Sequence, residues 1–401
     1  MSIFSFGNEK EKVGLVIDIG NSTVTTSLVS FNGSDLPLFV YSSNRSLDVT
    51  DRADSNRLID SLISILESEM LKLSKEAFKS KYWQNKQKKI SGGLISFSSP
   101  WFALKTKHLN LINEKEFVVT EHFLNDVISK EEQVFKLELS SDKPNLFKVF
   151  EKNIVHTKIN GYELGDIIGK KTKSLEAFLC LSAMDSSLSE KIENIVYKYT
   201  HIPKDSFKFY TFPVVSFSII RDYFSAGNDF LIVDVSGDVT DITLAQDSVI
   251  KHNVSIPIGR NYIIRQISKN FDVSNEIAES MLHLFNENKS DETINTKIHD
   301  IISQIEPEWA IYIENALQEL SPNFILPSNL FLLANSDVLH IYTEYFKLQK
   351  TDATMNFRKF LNLNTIDDSS MSKFIKNESG SYVDEFISFC ALFYRKVFTK
   401  K

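Results

Sequence analysis

The sequence predicts an α/β protein made of two similar, duplicated halves, with a small α+β domain set into the first. Three observations carry this. Val13–Ser30 (VGLVIDIGNSTVTTSLVS) is an apolar run ending in Asp18, a small-residue loop and a second run of β-branched residues, which is a β-hairpin pattern. Phe230–Ala245 (FLIVDVSGDVTDITLA) repeats it without a gap: Leu15–Asp18 lies over Leu231–Asp234, Thr25 over Asp241 and Leu28 over Leu244. Between the copies the order of elements is strand, helix, strand, strand, strand, the pattern of a compact α+β insertion. A chain of 401 residues is also long enough for two or three compact units.

Each element has its own local reason. Both hairpins run on into a further strand, at Leu38–Tyr41 and Val249–Ser255. Arg57–Phe78 carries Leu58, Ile59, Leu62, Ile63, Ile65, Leu66, Met70 and Leu73 at near-helical spacing and predicts a long amphipathic helix. Trp83–Lys89 is a polar break. Ile90–Ser98 reads as a strand, Thr120–Ser129 as a helix capped by Thr120, and Val134–Leu139, Phe147–Ile159 and Leu175–Ala183 as strands. Ser187–Tyr199 is a helix, Phe207–Thr211 a strand and Val214–Tyr223 a helix. After Gly259 the pattern turns helical: Tyr262–Asn270, Ser274–Asn286, and Asp291–Leu320 with an interruption at Pro307. Leu326–Ala334 is one more buried strand. The expected boundaries are 1–87 for the start of the first lobe, 88–185 for the inserted domain and 186–212 for the return. The second lobe then spans 213–375, with a helical part at about 260–325, and 376–401 is a C-terminal helix.

Composition narrows the function. With 42% hydrophobic and 24% charged residues and no apolar run near the roughly 18 residues a membrane span needs, the chain reads as a soluble, cytoplasmic protein. Against 45 Lys and Arg stand 52 Asp and Glu, a net charge of −7 and a pI near 5.7, so no nucleic-acid partner is expected. Cys180 and Cys390 sit in apolar runs and read as buried small hydrophobes. His156, His201 and His252 have no ligand spacing. Glycine is scarce, 13 residues against a usual share of roughly 7%, so a glycine in a motif carries weight.

Two hairpins, each with an Asp closing its first strand, suit a triphosphate held from both sides. Turn amides line a concavity for phosphate oxygens, Ser22 and Thr23 add donors, and the two carboxylates hold Mg²⁺ through its waters. Asp18-Ile19-Gly20-Asn21-Ser22-Thr23 resembles the first phosphate motif of the actin-like ATPases, which have the ribonuclease-H-like fold, and Asp234 to Asp241 (DVSGDVTD) resembles the second. Within that superfamily the insertion, the Asn160-Gly161-Tyr162 loop and Ile256-Pro257-Ile258-Gly259-Arg260 resemble the bacterial division protein FtsA, with the pilus-assembly protein PilM close behind. The resemblance covers 13 to about 340. It implies that Asp18, Gly20, Asn21, Ser22, Thr23, Asp234, Ser236, Gly237, Thr240, Gly259 and Glu279 bind ATP, and that Asp18, Asp234 and Asp241 hold Mg²⁺.

Five departures weaken hydrolysis. Ser236 and Asp238 flank Gly237 where three glycines are usual, which puts an extra carboxylate near phosphate. Thr25 stands where a lysine is common, and Phe212 where an acid precedes Pro213. Ala278-Glu279 is followed by Ser280-Met281-Leu282 without the family's lysine. The adenosine loop, Ala334-Asn335-Ser336-Asp337, has no glycine for close approach. The resemblance thus implies an FtsA-type scaffold, a slow ATPase at most, that binds the division protein FtsZ and self-associates through its inserted domain. The alternatives are a PilM-type protein binding the peptide of a pilus membrane protein, and a small-molecule kinase. Phe386–Phe398 with Arg395, Lys396, Lys400 and Lys401 reads as the closing core helix, with an amphipathic helix on the inner face of the membrane as its rival. Ile3, Phe4 and Phe6 offer a second, weaker membrane contact.

Overall fold

The computed structural model describes residues 12–32, 35–47, 55–79, 83, 89–320, 325–348, 362–377, 380 and 382–398. The N-terminal Ile3, Phe4 and Phe6, most of the polar break, and Lys400 and Lys401 lie outside the described residues. In chain order the elements are β1 (Lys12–Ile19), β2 (Thr23–Phe31), β3 (Leu38–Ser46), α1 (Ser55–Glu76), β4 (Ile90–Phe97), β5 (Ala103–Val118), α2 (Glu121–Leu139), β6 (Phe147–Ile159), β7 (Tyr162–Glu163) and β8 (Lys171–Asp185). They continue with α3 (Ser186–Thr200), β9 (Phe207–Thr211), α4 (Phe212–Tyr223), β10 (Phe230–Val235), β11 (Thr240–Gln246), β12 (Val249–Ile256), α5 (Arg260–Phe271), α6 (Asn275–Asn286) and α7 (Glu292–Leu320). The last are β13 (Asn329–Ala334), α8 (Ser336–Leu348), β14 (Asn362–Ile366), α9 (Asp368–Met371), β15 (Lys376–Asn377) and α10 (Glu385–Phe398).

The chain divides into two compact units, one from Met1–Phe97, Glu190–Tyr210 and Asp367–Lys401, the other from Ser98–Ser189 and Thr211–Ile366. Each has a sheet of the same order. The first runs β3-β2-β1-β4-β9, with β15 added outside β3, and the second runs β12-β11-β10-β13-β14. In both, the hairpin and its third strand are antiparallel and the first hairpin strand pairs in parallel with the strand that follows a helix. The duplication reaches single hydrogen bonds. Asp18 lies opposite Thr25 and Asp234 opposite Asp241. The first turn is closed by the Gly20 N–H on the Thr23 carbonyl (2.9 Å), and the second, at the matching positions, by the Ser236 N–H on the Val239 carbonyl (3.1 Å).

In the first unit β1 is buried from Val13 to Ile19 without alternation, as a strand covered on both faces must be. α10 packs on it, and every residue from Glu385 to Tyr394 is buried. The C-terminal helix is therefore core, and its nearly all-round apolarity has that cause. Gly14 makes room for it: a Cβ there would stand 2.4 Å from the Tyr394 ring, which stacks on Phe31 at 4.8 Å.

In the second unit the β10–β13 sheet, α5, α6, α7 and α8 enclose one large core, with Trp309 stacked on Tyr342 at 4.6 Å. The interruption expected at Pro307 does not occur, and α7 runs through it. Its buried face, Ile298, Ile301, Ile302, Ile305, Trp309 and Ile313, continues on both sides, and that packing outweighs the roughly 3 kcal/mol a helix-interior proline costs. By sequence the α+β segment interrupts the first half, whereas from Ser98 onward it packs with the second unit. Its four-stranded sheet, β5-β8-β6-β7, is antiparallel. Lys251 of β12 lies over the Phe178 ring of β8 at 3.9 Å. The strand expected at Val134–Leu139 is the end of α2. Phe135 is buried there and Glu132 pairs with Lys136 at 2.8 Å across one helical turn, contacts that only a helix provides.

Candidate functional site

The residues singled out as a nucleotide site fall on two turns, one in each unit. In the first unit β1 delivers Asp18, 5% exposed, to the end of the strand. Burial is the main reason its carboxyl is pushed up to about 7, and the charge of Asp384 adds to it. Cys390 of α10 donates its thiol to Oδ1 at 3.8 Å. The buried Gly20 and Asn21 and the half-buried Ser22 and Thr23 follow as one closed turn, tied to the end of β3 by the Leu47 N–H on the Ser22 carbonyl (2.7 Å). Thr25 on β2 is fully buried and accepts from Asn44 Nδ2 at 2.8 Å.

In the second unit Asp234 is 3% exposed and accepts from Ser236 Oγ at 3.2 Å. The Ser236 and Gly237 carbonyls receive the first N–H groups of α5, those of Arg260 (2.9 Å) and Asn261 (2.7 Å). The helix terminus is thereby capped by the motif loop itself. Gly259 is what allows this, because a Cβ at that position would stand 2.5 Å from both carbonyl oxygens. Thr240 donates to the Ile258 carbonyl at 2.6 Å and holds the same corner.

The carboxylates around this turn are engaged with other side chains. Asp238 accepts from Arg265 Nη1 at 2.5 Å and Asn261 Nδ2 at 3.1 Å, so the extra charge read from the sequence is paired. Asp241 is buried and accepts from Ser99 Oγ (2.8 Å), Ser99 N–H (3.4 Å) and Ser255 Oγ; burial raises its pKa against those bonds. Arg260 grips Asp337 with Nε (3.0 and 2.9 Å) and Nη2 (2.5 Å), and reaches Glu279 with Nη2 at 2.6 Å. This mostly buried cluster joins α5, α6 and the start of α8. Its two carboxylates raise the guanidinium's affinity for its proton despite desolvation.

Three of the residues read as nucleotide or Mg²⁺ ligands already have protein partners or are buried. Asp241 accepts from hydroxyl and amide donors, Glu279 accepts from Arg260 through Oε1, and Asp18 is buried with its carboxyl pushed up to about 7. Among the described residues no group of three or more His, Cys, Asp or Glu side chains is placed to hold a metal ion. A hairpin turn closed by one backbone hydrogen bond is present in both copies. Sequence reading missed Arg260 with Asp337, Arg265 with Asp238, and Ser99 with Asp241. Arg260 and Asp337 both stand in segments singled out above, but no linear spacing joins residues so far apart.

Other groups make no site. Phe212, which precedes Pro213, is fully buried, and the carboxylate near this helix start comes from Glu151. Glu151 of β6, 2% exposed, accepts through Oε2 from Ser182 Oγ (2.5 Å), Thr211 N–H (3.1 Å) and Thr211 Oγ1 (2.9 Å). No helix among the described residues is long and apolar enough to cross a membrane.

No protein-family model matches the chain, and no curated protein matches it in sequence. Solved structures do. A PilM-PilN type IV pilus biogenesis complex is 12% identical, covering 94% of this chain and 96% of its own, with a TM-score of 0.59. The ethanolamine utilization protein EutJ from Carboxydothermus hydrogenoformans is 11% identical over 88% of this chain and 84% of its own, with a TM-score of 0.44. A Bacteroides thetaiotaomicron protein described as having an actin-like ATPase fold and unknown function is 10% identical over 98% of both, with a TM-score of 0.42. Two sheets of one strand order, each opening on a hairpin with a buried aspartate, together with a neighbour aligned along nearly the whole chain, identify the actin-like ATPase fold.

Proposed function

We propose that this chain is an actin-fold scaffold that does not turn ATP over and that works by holding a protein partner. The observation that carries this is the state of the second unit's polar groups. Arg260, Glu279 and Asp337 bond to one another, Asp238 to Arg265, and Asp241 to Ser99 and Ser255, where an ATPase keeps such groups for nucleotide and metal. A protein that has bonded these groups to each other while retaining both phosphate turns has kept the frame and given up the chemistry. The small-molecule kinase reading also lacks its acid, since Phe212 stands there.

The PilM-type reading, a cytoplasmic protein that binds the peptide of a pilus membrane protein, ranks ahead of the FtsA-type reading with FtsZ as partner. Its support is the full-length alignment with the PilM–PilN complex. Membrane contact through the C-terminal helix would require α10 to leave the core it fills. Self-association through the inserted domain belongs to the same scaffold reading.

The test is steady-state phosphate release with Mg-ATP, paired with titration calorimetry. We expect no turnover above the uncatalysed background. Asp238→Gly removes one carboxylate and frees Arg265 for phosphate, and should tighten Mg-ATP binding by up to about tenfold, the equivalent of roughly 1.4 kcal/mol. Turnover that is lost in Asp18→Ala would overturn the scaffold reading.

A further inference from the structure

The inserted α+β domain carries a groove of about 320 Å³, at the small end of the roughly 300–1,000 Å³ typical of ligand sites. It is bounded by α2, β6 and the loop after β7, and its walls are largely apolar: Leu124, Ile154, Val155, Leu164 and Ile168. The loop is held at both ends. The Leu164 N–H reaches the Thr157 carbonyl at 3.1 Å, the Gly169 N–H reaches the Val119 carbonyl at 2.8 Å, and the Val119 N–H reaches the Lys170 carbonyl at 2.9 Å. The groove is thus preformed.

Several features set it apart from an ordinary surface dip. Val155, Leu164 and Ile168 are 40%, 38% and 47% exposed, with Tyr162 beside them at 76%. Of the sixteen large hydrophobic side chains most exposed among the described residues, nine lie between 98 and 185, so exposed apolar surface is concentrated on this domain. The charged lining residues are Glu163 and Asp166, and among the described residues no lysine or arginine lines the groove. In its wall, the His156 side chain is 9% exposed. Nδ1 lies 3.4 Å from Glu163 Oε1, and the buried Nε2 has no protein partner. At the open margin, β6 is paired along its length with β8 but, among the described residues, on the other side only at Lys158 and Ile159, with the two-residue β7.

We propose that this groove docks a short extended segment of another protein, apolar and carrying a lysine or arginine. Its side chains cover Val155, Leu164 and Ile168, and its cation sits between Glu163 and Asp166. The volume takes a few side chains and not a folded domain. The two carboxylates select a basic segment and reject an acidic one. This inference rests on the scaffold reading and names the chemistry of its partner.

The experiment is fluorescence anisotropy of the full chain with two fluorescein-labelled ten-residue peptides of leucine, valine and serine, one with two central lysines and one with two central glutamates. The lysine peptide should bind at least tenfold more tightly at low salt. Glu163→Lys with Asp166→Lys, both at exposed positions, should reverse the preference, and Leu164→Asp should weaken the lysine peptide at least tenfold. Equal binding of the two peptides, a preference that survives the charge reversal, or no binding of either overturns the proposal. The ATP turnover assay reports separately on the scaffold reading: turnover refutes that reading, whereas absent turnover with a failed peptide assay refutes the groove alone.

Discussion

Replacing Glu151 by Gln isolates the electrostatic cost of fastening the inserted domain to the start of α4. The carboxyl is buried, and burial outweighs the three hydrogen bonds from Ser182 and Thr211, so its pKa is pushed up from 4.5 to about 7. An acid whose pKa is raised by folding favours the folded state while it is neutral. Its contribution is complete below pH 4.5 and is lost as pH rises through 7. At about 1.4 kcal/mol per pH unit, the interval amounts to about 3 kcal/mol. Glutamine keeps an acceptor for Ser182 and Thr211 and cannot ionise. Its amide NH₂ would occupy the place of Oε1, which has no partner in the wild type either. The two proteins should therefore match to within about 1 kcal/mol at pH 5, and by pH 8.5 the variant should be more stable by about 2–3 kcal/mol. Urea denaturation followed by circular dichroism from pH 5 to 8.5 measures the difference. A gap that stays constant with pH would refute the reasoning, since it would mean that Glu151 does not titrate in the native protein.

Two further perturbations probe the second unit. Arg260→Ala leaves Asp337, 7% exposed, without its guanidinium and should cost about 3–5 kcal/mol; the double variant with Asp337→Ala should recover part of that loss, which a double-mutant cycle by thermal unfolding resolves. Gly259→Ala drives a methyl to 2.5 Å from the Ser236 and Gly237 carbonyls and should destabilise by about 1–3 kcal/mol, read as a lower urea midpoint, while an unchanged midpoint would mean that the corner is looser than drawn.

The frame was legible because it is written in local periodicity and in a self-match. Both hairpins, the strand at Phe207–Thr211 and the helices after Gly259 follow from residues close in sequence. The misreadings have tertiary causes. α7 ignores Pro307 because its buried face runs through it. The end of α2 reads as a strand from sequence because a short apolar run cannot be told from a helix face until its partner, here Phe135 in the inserted domain's core, is known. β5 was missed because LKTKHLNLINEKEF carries charge on a face that is largely exposed, which hides its alternation.

The site was half legible, and the duplication shows why. Asp18 and Asp234 end equivalent strands, and the turn bonds at Gly20 and Ser236 are copies, so motif spacing finds both. One step on, the copies differ in sequence yet do the same thing. Thr25 on β2 takes a hydrogen bond from Asn44, its cross-strand partner on β3, and Asp241 on β11 takes one from Ser255, its partner on β12. In both, the side chain is bonded across the sheet. A motif scan records which residue stands at such a position and is blind to where its hydrogen bonds go. That destination depends on Asn44, Ser255, Ser99 and Arg260, which only the folded chain brings to those carboxylates and hydroxyls.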